Sequence, residues 1–275
     1  MDKEKGILFT KMHGLGNDYI YIHCPDKAPA SIAELAVVMS DRHCGVGGDG
    51  IILILPSTIA DFKMRIFNAD GSEATMCGNG SRCVAKYVYD NGLTDKKVIT
   101  LETLAGVRTL TVHTGADGLV EEVTVDMGIP CVDPRPLSLE TTLDGDLTVH
   151  PVSMGNPHAV AFVDSIDDIH FDTSGPELER HPIWPDRANI EFAHIDNPGH
   201  ITVRVWERGS GETMACGTGA CAVAAAAMTR GLSRSEVTIK LPGGSLAIRW
   251  DGSGHHLYMR GPATTVFTGR YIPKK

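Results

Sequence analysis

The chain has 275 residues, 42% of them hydrophobic, and a formal net charge of −9. That length allows one large domain or two of ordinary size, with ample material for a packed core. The acidic balance argues against nucleic acid or an anionic membrane as a partner, and no apolar run is long and unbroken enough to span a bilayer.

The opening stretch MDKEKGILFT lacks the apolar core of a signal peptide. Seven cysteines (Cys24, Cys44, Cys77, Cys83, Cys131, Cys216 and Cys221) make an odd count with no Cys-x-x-Cys pair. This argues against a disulfide framework and a structural zinc site, and for free thiols in a reducing cytoplasm. In chain order, the first half has a Gly-Asn turn in HGLGND, then the alternating strand FKMRIF, then SEATMCGNGSRCVA over Ser72–Ala85. KVITLET, GVRTLTVHT and LVEEVTVDM follow, β-rich and punctuated by turn residues. Met127-Gly128-Ile129-Pro130 reads as a hinge. The series then restarts with MGNPH, the strand ITVRVW and ETMACGTGACAVAAAAM over Glu212–Met228, before EVTIKLPGGSLAIRW and TTVFTGRYI.

The two cysteine segments align without gaps at one offset, 216 − 77 = 139. At that offset Gly16-Asn17 meets Gly155-Asn156, Arg65 meets Arg204, Glu73 meets Glu212, and Gly78 and Gly80 meet Gly217 and Gly219. This is one large duplication, not a solenoid of short repeats. The predicted fold is α+β: two pseudo-symmetric domains, each a curled mixed β-sheet around a central helix. The first spans residues 1–126, joined by the terminal strand 264–275, and the second spans 127–263. Cys-Gly-x-Gly opens each helix, with Ser72-Glu73 and Gly211-Glu212 supplying capping chemistry and negative charge just before it. The small apolar residues of ACAVAAAAM run around every face, as in a helix buried at a domain centre.

A helix amino terminus carries unpaired N–H groups and partial positive charge. A cysteine there is expected to have a lowered pKa, and the glycine N–H groups can close on a carboxylate. Two such starts would grip one carboxylate and put a sulfur on each face of the neighbouring α-carbon. Inversion of an amino-acid α-carbon needs that arrangement: a base on one face, an acid on the other, and donors for the charge of the planar intermediate. A thiol oxidoreductase would want Cys-x-x-Cys, and a cysteine hydrolase would leave the duplication unexplained. A phosphate-binding protein would lack its P-loop lysine.

The strings KMHGLGNDY, DRHCGVGGDG, RIFNADGSEATMCGNGSR, VSMGNPHAV, RANIEF, VWERGSGETMACGTGACA and LPGGSL resemble the diaminopimelate epimerase family over nearly the whole chain. The resemblance implies a cofactor-independent epimerase of lysine synthesis that interconverts LL- and meso-diaminopimelate without pyridoxal phosphate or metal. It implies Cys77 and Cys216 as the acid/base pair, assisted by His158 and Glu207. Both helpers break the repeat, since they stand opposite Tyr19 and Asn68. Gly78-Asn79 and Gly217-Thr218 would hold the reacting carboxylate. Asn17, Asn68, Asn156, Asn189 and Arg208 would hold the distal amino-acid end. Two departures stand out: Gly50 where the family often carries a glutamine contact, and Phe267 where a tyrosine is tied to dimer packing. A homodimer is implied by resemblance. The remaining five cysteines are assigned to packing. The alternatives are a racemase or isomerase of another amino acid or small acid, and a non-catalytic amino-acid binder on the same scaffold.

Overall fold

The computed structural model of the chain describes residues 6–273. Two compact units are present: one holds the residues up to Val125 and those from Gly261 onward, the other holds Asp126–Arg260. In the first, β1 (Ile7–Gly14) and β2 (Asn17–His23) form a hairpin, and α1 (Ile32–Ser40) leads to β3 (Gly50–Leu55). Then β4 (Phe62–Asn68) and the short β5 (Glu73–Ala74) run into α2 (Gly78–Asp90), followed by β6 (Val98–Thr103), β7 (Gly106–Thr114) and β8 (Val120–Asp126).

The second unit opens with β9 (Cys131–Val132), β10 (Leu137–Thr141), β11 (Gly145–Ser153) and β12 (Pro157–Phe162). After α3 (Phe171–Glu179) come β13 (Asn189–Asn197), β14 (His200–Glu207) and β15 (Gly211–Glu212). Helix α4 (Gly217–Thr229) then precedes β16 (Glu236–Leu241), β17 (Gly244–Trp250) and β18 (Leu257–Pro262). The last strand, β19 (Thr264–Tyr271), belongs to the first unit and pairs antiparallel with β1, from Ile7 opposite Tyr271 to His13 opposite Thr264.

Both units are α+β with mixed sheets. β2 runs parallel to β3 and β12 parallel to β13, while the hairpin neighbours are antiparallel. β2 and β3 are covered on both faces, which is why YIYI and IILIL read as unbroken apolar runs. On one face lies the helix with the cysteine start: α2 packs on β1, β2 and β7, and α4 on β11, β12, β13 and β17. From Ala220 to Ala227 every residue of α4 is buried. Alanine favours the helix intrinsically and lets the sheet approach closely. Larger side chains there would overpack the core at roughly 1–3 kcal/mol each.

The sequence reads as one helix per half, but among the described residues each unit has two. Helix α1 covers Phe9, Ile20, Ile22, Ile51 and Leu53, and α3 covers Leu139, Val149, Ala159, Ile190 and Phe192. Their starts, 32 and 171, obey the same offset of 139. Nine residues are too few for a clear period, α3 carries Gly175 and Pro176, and neither helix has a side-chain N-cap bond. Packing on the sheet forms them, not propensity. The packing assignment holds for Cys24, Cys83 and Cys221, which are buried, but not for Cys44 and Cys131, which are exposed. Cys44 lies in a surface turn whose N–H donates to Asp41, and Cys131 on the two-residue β9. No helix among the described residues is long and apolar enough to cross a membrane.

Candidate active site

Each unit begins its buried helix on a cysteine with extended backbone: Cys77 at φ −140°, ψ 115°, and Cys216 at φ −108°, ψ 110°. The sulfur itself is the cap. Gly80 N–H donates to Cys77 Sγ at 3.3 Å and Gly219 N–H to Cys216 Sγ at 3.4 Å. Sulfur thus takes the place usually held by a serine or aspartate oxygen. This corrects the expectation for the acidic residues just upstream. Glu73 is paired two-pronged with Arg65 (2.7 and 2.9 Å), and Glu212 with Arg204 (2.8 and 3.0 Å). They pin the loop to the strand before it and do not cap the helix. Gly78-Asn79 and Gly217-Thr218 fill the first turn, whose N–H groups have no acceptor within the helix.

In the first unit Asn17, Cys77 and Asn79 come together. The Cys77 thiol donates to Asn17 Oδ1 at 3.3 Å, and Asn79 Nδ2 approaches the same oxygen at 3.5 Å. Asn17 Nδ2 donates in turn to Asp49 (2.8 Å), which fixes the amide the right way round. Beneath them the buried Arg82 donates to Asn79 Oδ1 at 2.9 Å. Asn68 stands apart at the end of β4, bonded to Ser72.

The second unit assembles Asn156, His158, Glu207, Cys216 and Thr218. Asn156 Nδ2 lies 3.4 Å from Thr218 Oγ1, which is 3.6 Å from Cys216 Sγ. His158 Nε2 is 3.1 Å from Asn156 Oδ1, and its Nδ1 is 2.7 Å from Glu191 Oε1, with both side chains fully buried. Glu207 accepts from Thr213 and from the Cys216 thiol. A cleft of about 770 Å³ opens beside Asn156 and His158, walled by Pro151, Val152, Ser153 and Trp184. Asn189 is buried with both ends of its amide in use, donating to Pro157 O at 3.1 Å and accepting from Arg208 N–H at 2.9 Å. It holds the backbone of Arg208, whose exposed side chain reaches Asp186 O.

The expected fall in thiol pKa is reversed at Cys216. Burial, with the Glu207 and Glu191 carboxylates close by, pushes it well above the usual cysteine range, against the bonds from Thr218 and Gly219. A helix dipole is worth about half a charge, less than the cost of burial beside two acids. Cys216 is therefore a neutral thiol at neutral pH. Burial raises Glu207 as well.

Sequence reasoning missed three carboxylates. Asp49 orients Asn17. Glu179 accepts from Trp206 Nε1 (3.2 Å) and Gly209 N–H (2.9 Å), clamping the loop that carries Glu207 and Arg208. Glu191 holds His158. The signal for Glu191 was present, because the repeat puts it opposite Ile52, another break in symmetry. Of the two departures, Gly50 has a steric cause: a Cβ there would stand 2.1 Å from the Phe67 carbonyl oxygen, so no side chain fits. Phe267 is about half exposed and edge-on to Phe9, with ring centroids 5.9 Å apart.

The model of the diaminopimelate epimerase family matches residues 9–132 and 151–266. The diaminopimelate epimerase of Acetivibrio thermocellus is 50% identical over 272 residues, covering 95% of this chain and 97% of that protein. That of Bacteroides thetaiotaomicron is 52% identical over 266 residues, covering 96% and 97%. Among solved structures, a phenazine biosynthesis protein of the PhzF family from Bacillus anthracis superposes with TM-score 0.77 at 17% identity, over 98% of this chain and 100% of that one. A hydroxyproline epimerase from Agrobacterium vitis gives 0.73 at 17% identity, over 98% and 94%. At such identities the structural likeness speaks to the fold.

Proposed function

Because the chain belongs to the diaminopimelate epimerase family, we propose that it interconverts LL-2,6-diaminopimelate and meso-diaminopimelate in lysine and peptidoglycan-precursor synthesis, using Cys77 and Cys216 as its two acid/base groups without pyridoxal phosphate or metal. The observation that carries this reading is the matched pair of cysteine-capped, glycine-rich helix starts, one in each unit.

In this direction Cys216 enters as the acid, and Cys77 becomes the base once it releases to solvent the proton it shares with Asn17 Oδ1. Cys77 takes the α-proton as the C–H electron pair moves into the adjacent carboxylate, giving a planar enediolate. Cys216 then gives its proton to the opposite face, leaving inverted product, a Cys77 thiol and a Cys216 thiolate. Glu207, bonded to Cys216, and His158 set the protonation of that side. Gly78-Asn79 and Gly217-Thr218 N–H groups take up the growing charge. Asn17, Asn68, Asn156 and the exposed Arg208 bind the distal end, with Asn189 positioning Arg208. The working form is a homodimer. Val266 and Phe267 on β19 and the adjacent Ile272 are exposed apolar side chains suited to burial, and sedimentation is expected to give twice the chain mass. A monomer at micromolar concentration would remove this element.

The deciding experiment is proton NMR of reduced protein with LL-diaminopimelate in D2O. The α-proton signal is expected to disappear as the meso isomer accumulates. Exchange without a meso product would refute the two-face mechanism, and no exchange would refute the substrate.

A further inference from the structure

We propose that Glu191 is a positioning residue for His158: its buried carboxylate fixes the imidazole so that Nε2 faces Asn156 and, through Thr218, the second helix start. The inference rests on reading His158 as part of the working site.

Glu191 lies in the middle of β13 with no solvent exposure. Its Oε1 is 2.7 Å from His158 Nδ1, while its Oε2 has no hydrogen-bond partner among the described residues. An incompletely bonded carboxylate is an expensive occupant of a core, and an apolar side chain of similar volume is often the more stable choice. The duplication shows which residue packing alone selects here. At the offset of 139, Glu191 corresponds to Ile52 and His158 to Tyr19. The backbone context is the same, since Tyr19 lies beside Gly50 across one parallel strand pair and His158 beside Asn189 across the other. In the first unit Ile52 packs under the helix start, where a Cβ on Gly80 would come within 2.6 Å of it. In the second unit Glu191 Oε1 occupies that place, 2.8 Å from a Cβ on Gly219. Thus an acid–imidazole pair stands in one unit where an aliphatic–aromatic pair stands in the other.

The geometry gives the pair its work. With Nδ1–H donating to Glu191 and Nε2–H donating to Asn156 Oδ1 at 3.1 Å, the ring is held in one orientation from both ends. Asn156 turns its other end to Thr218, the neighbour of the Cys216 sulfur. Without the carboxylate the ring can rotate, and the line from His158 through Asn156 to Thr218 loses its anchor. Partners that orient a working histidine from behind typically contribute 10- to 100-fold where they have been removed at metal sites.

The test uses Glu191→Gln, which keeps the shape and one acceptor, and Glu191→Ile, which copies the first unit. With LL-diaminopimelate, kcat is expected to fall about 10-fold for the former and about 100-fold for the latter, with KM changed by less than about 3-fold. Combining either with His158→Ala is expected to be no slower than His158→Ala alone, because the effect passes through the ring. Nitrogen-15 histidine NMR of the unmodified protein is expected to show His158 protonated at Nδ1, a readout that depends on no variant folding. Both variants within twofold of the wild-type kcat, losses that multiply in the double variant, or an unprotonated Nδ1 would each overturn the role of Glu191. Full activity in His158→Ala would instead overturn the site reading on which it rests.

Discussion

Cys77→Ala and Cys216→Ala are each expected to lower the rate of epimerisation by about 10⁴-fold, the upper end of what a positioned acid or base supplies. Each sulfur also caps its helix through the glycine three residues on. Alanine therefore removes a cap worth about 1 kcal/mol together with the acid/base group. Serine separates the two. It is a preferred cap, so Cys77→Ser and Cys216→Ser should keep the wild-type melting temperature within a few degrees. A serine hydroxyl cannot serve as a proton carrier near neutral pH, so both should be as inactive as the alanine variants. Turnover above about 1% of wild type in any of the four, measured by stereochemical assay, would exclude a mechanism that needs both thiols.

Glu207→Gln is expected to make the protein slower and more stable at once. Burial raises the Glu207 carboxyl above its ordinary value of 4.5, against the bonds from Thr213 and Cys216. A raised carboxyl contributes its stability below pH 4.5 and loses it as the pH rises through the folded-state value. Above pH 4.5 the raised carboxyl is a net cost to the folded chain that glutamine does not carry. The melting temperature should rise by a few degrees, since about 1 kcal/mol corresponds to roughly 2–4 °C for a chain of this size. The gap from wild type should close as the pH falls below 4.5. Loss of the carboxylate that accepts from Cys216 should cut kcat by about 100-fold. A lower melting temperature at pH 7 would refute the cost assigned to burial, and wild-type kcat would refute the helper role.

What could be read before folding was what repeats or alternates. The offset of 139 located both helix starts and the paired Gly-Asn turns, because Gly16 and Gly155 take positive φ (86° and 96°) in backbone geometry that both halves share. The alanine-rich helix announced its burial by having no polar face. Three things stayed hidden, each because it depends on contacts that exist only once the chain is folded. Helices α1 and α3 are nine residues long and exist by lying on a sheet. Glu73 and Glu212 read as capping groups, but a two-pronged arginine on the adjacent strand is the stronger partner. The direction of the Cys216 shift follows from burial beside Glu191 and Glu207, and neighbours along the chain do not reveal burial.

The place of β19 also bears on how the protein is made. The first unit is discontinuous: its strand β1 is flanked on one side by a strand formed from the last residues of the chain. The second unit lies wholly between, in Asp126–Arg260. Ribosomal synthesis at roughly 5–20 residues per second delivers that middle segment over about ten seconds, during which the edge of β1 from Ile7 to His13 has no partner. An open edge of this kind invites pairing with other nascent chains. The second unit is complete in sequence at Arg260, whereas the first must wait for Thr264–Tyr271. The half that is translated first is the half that is finished last.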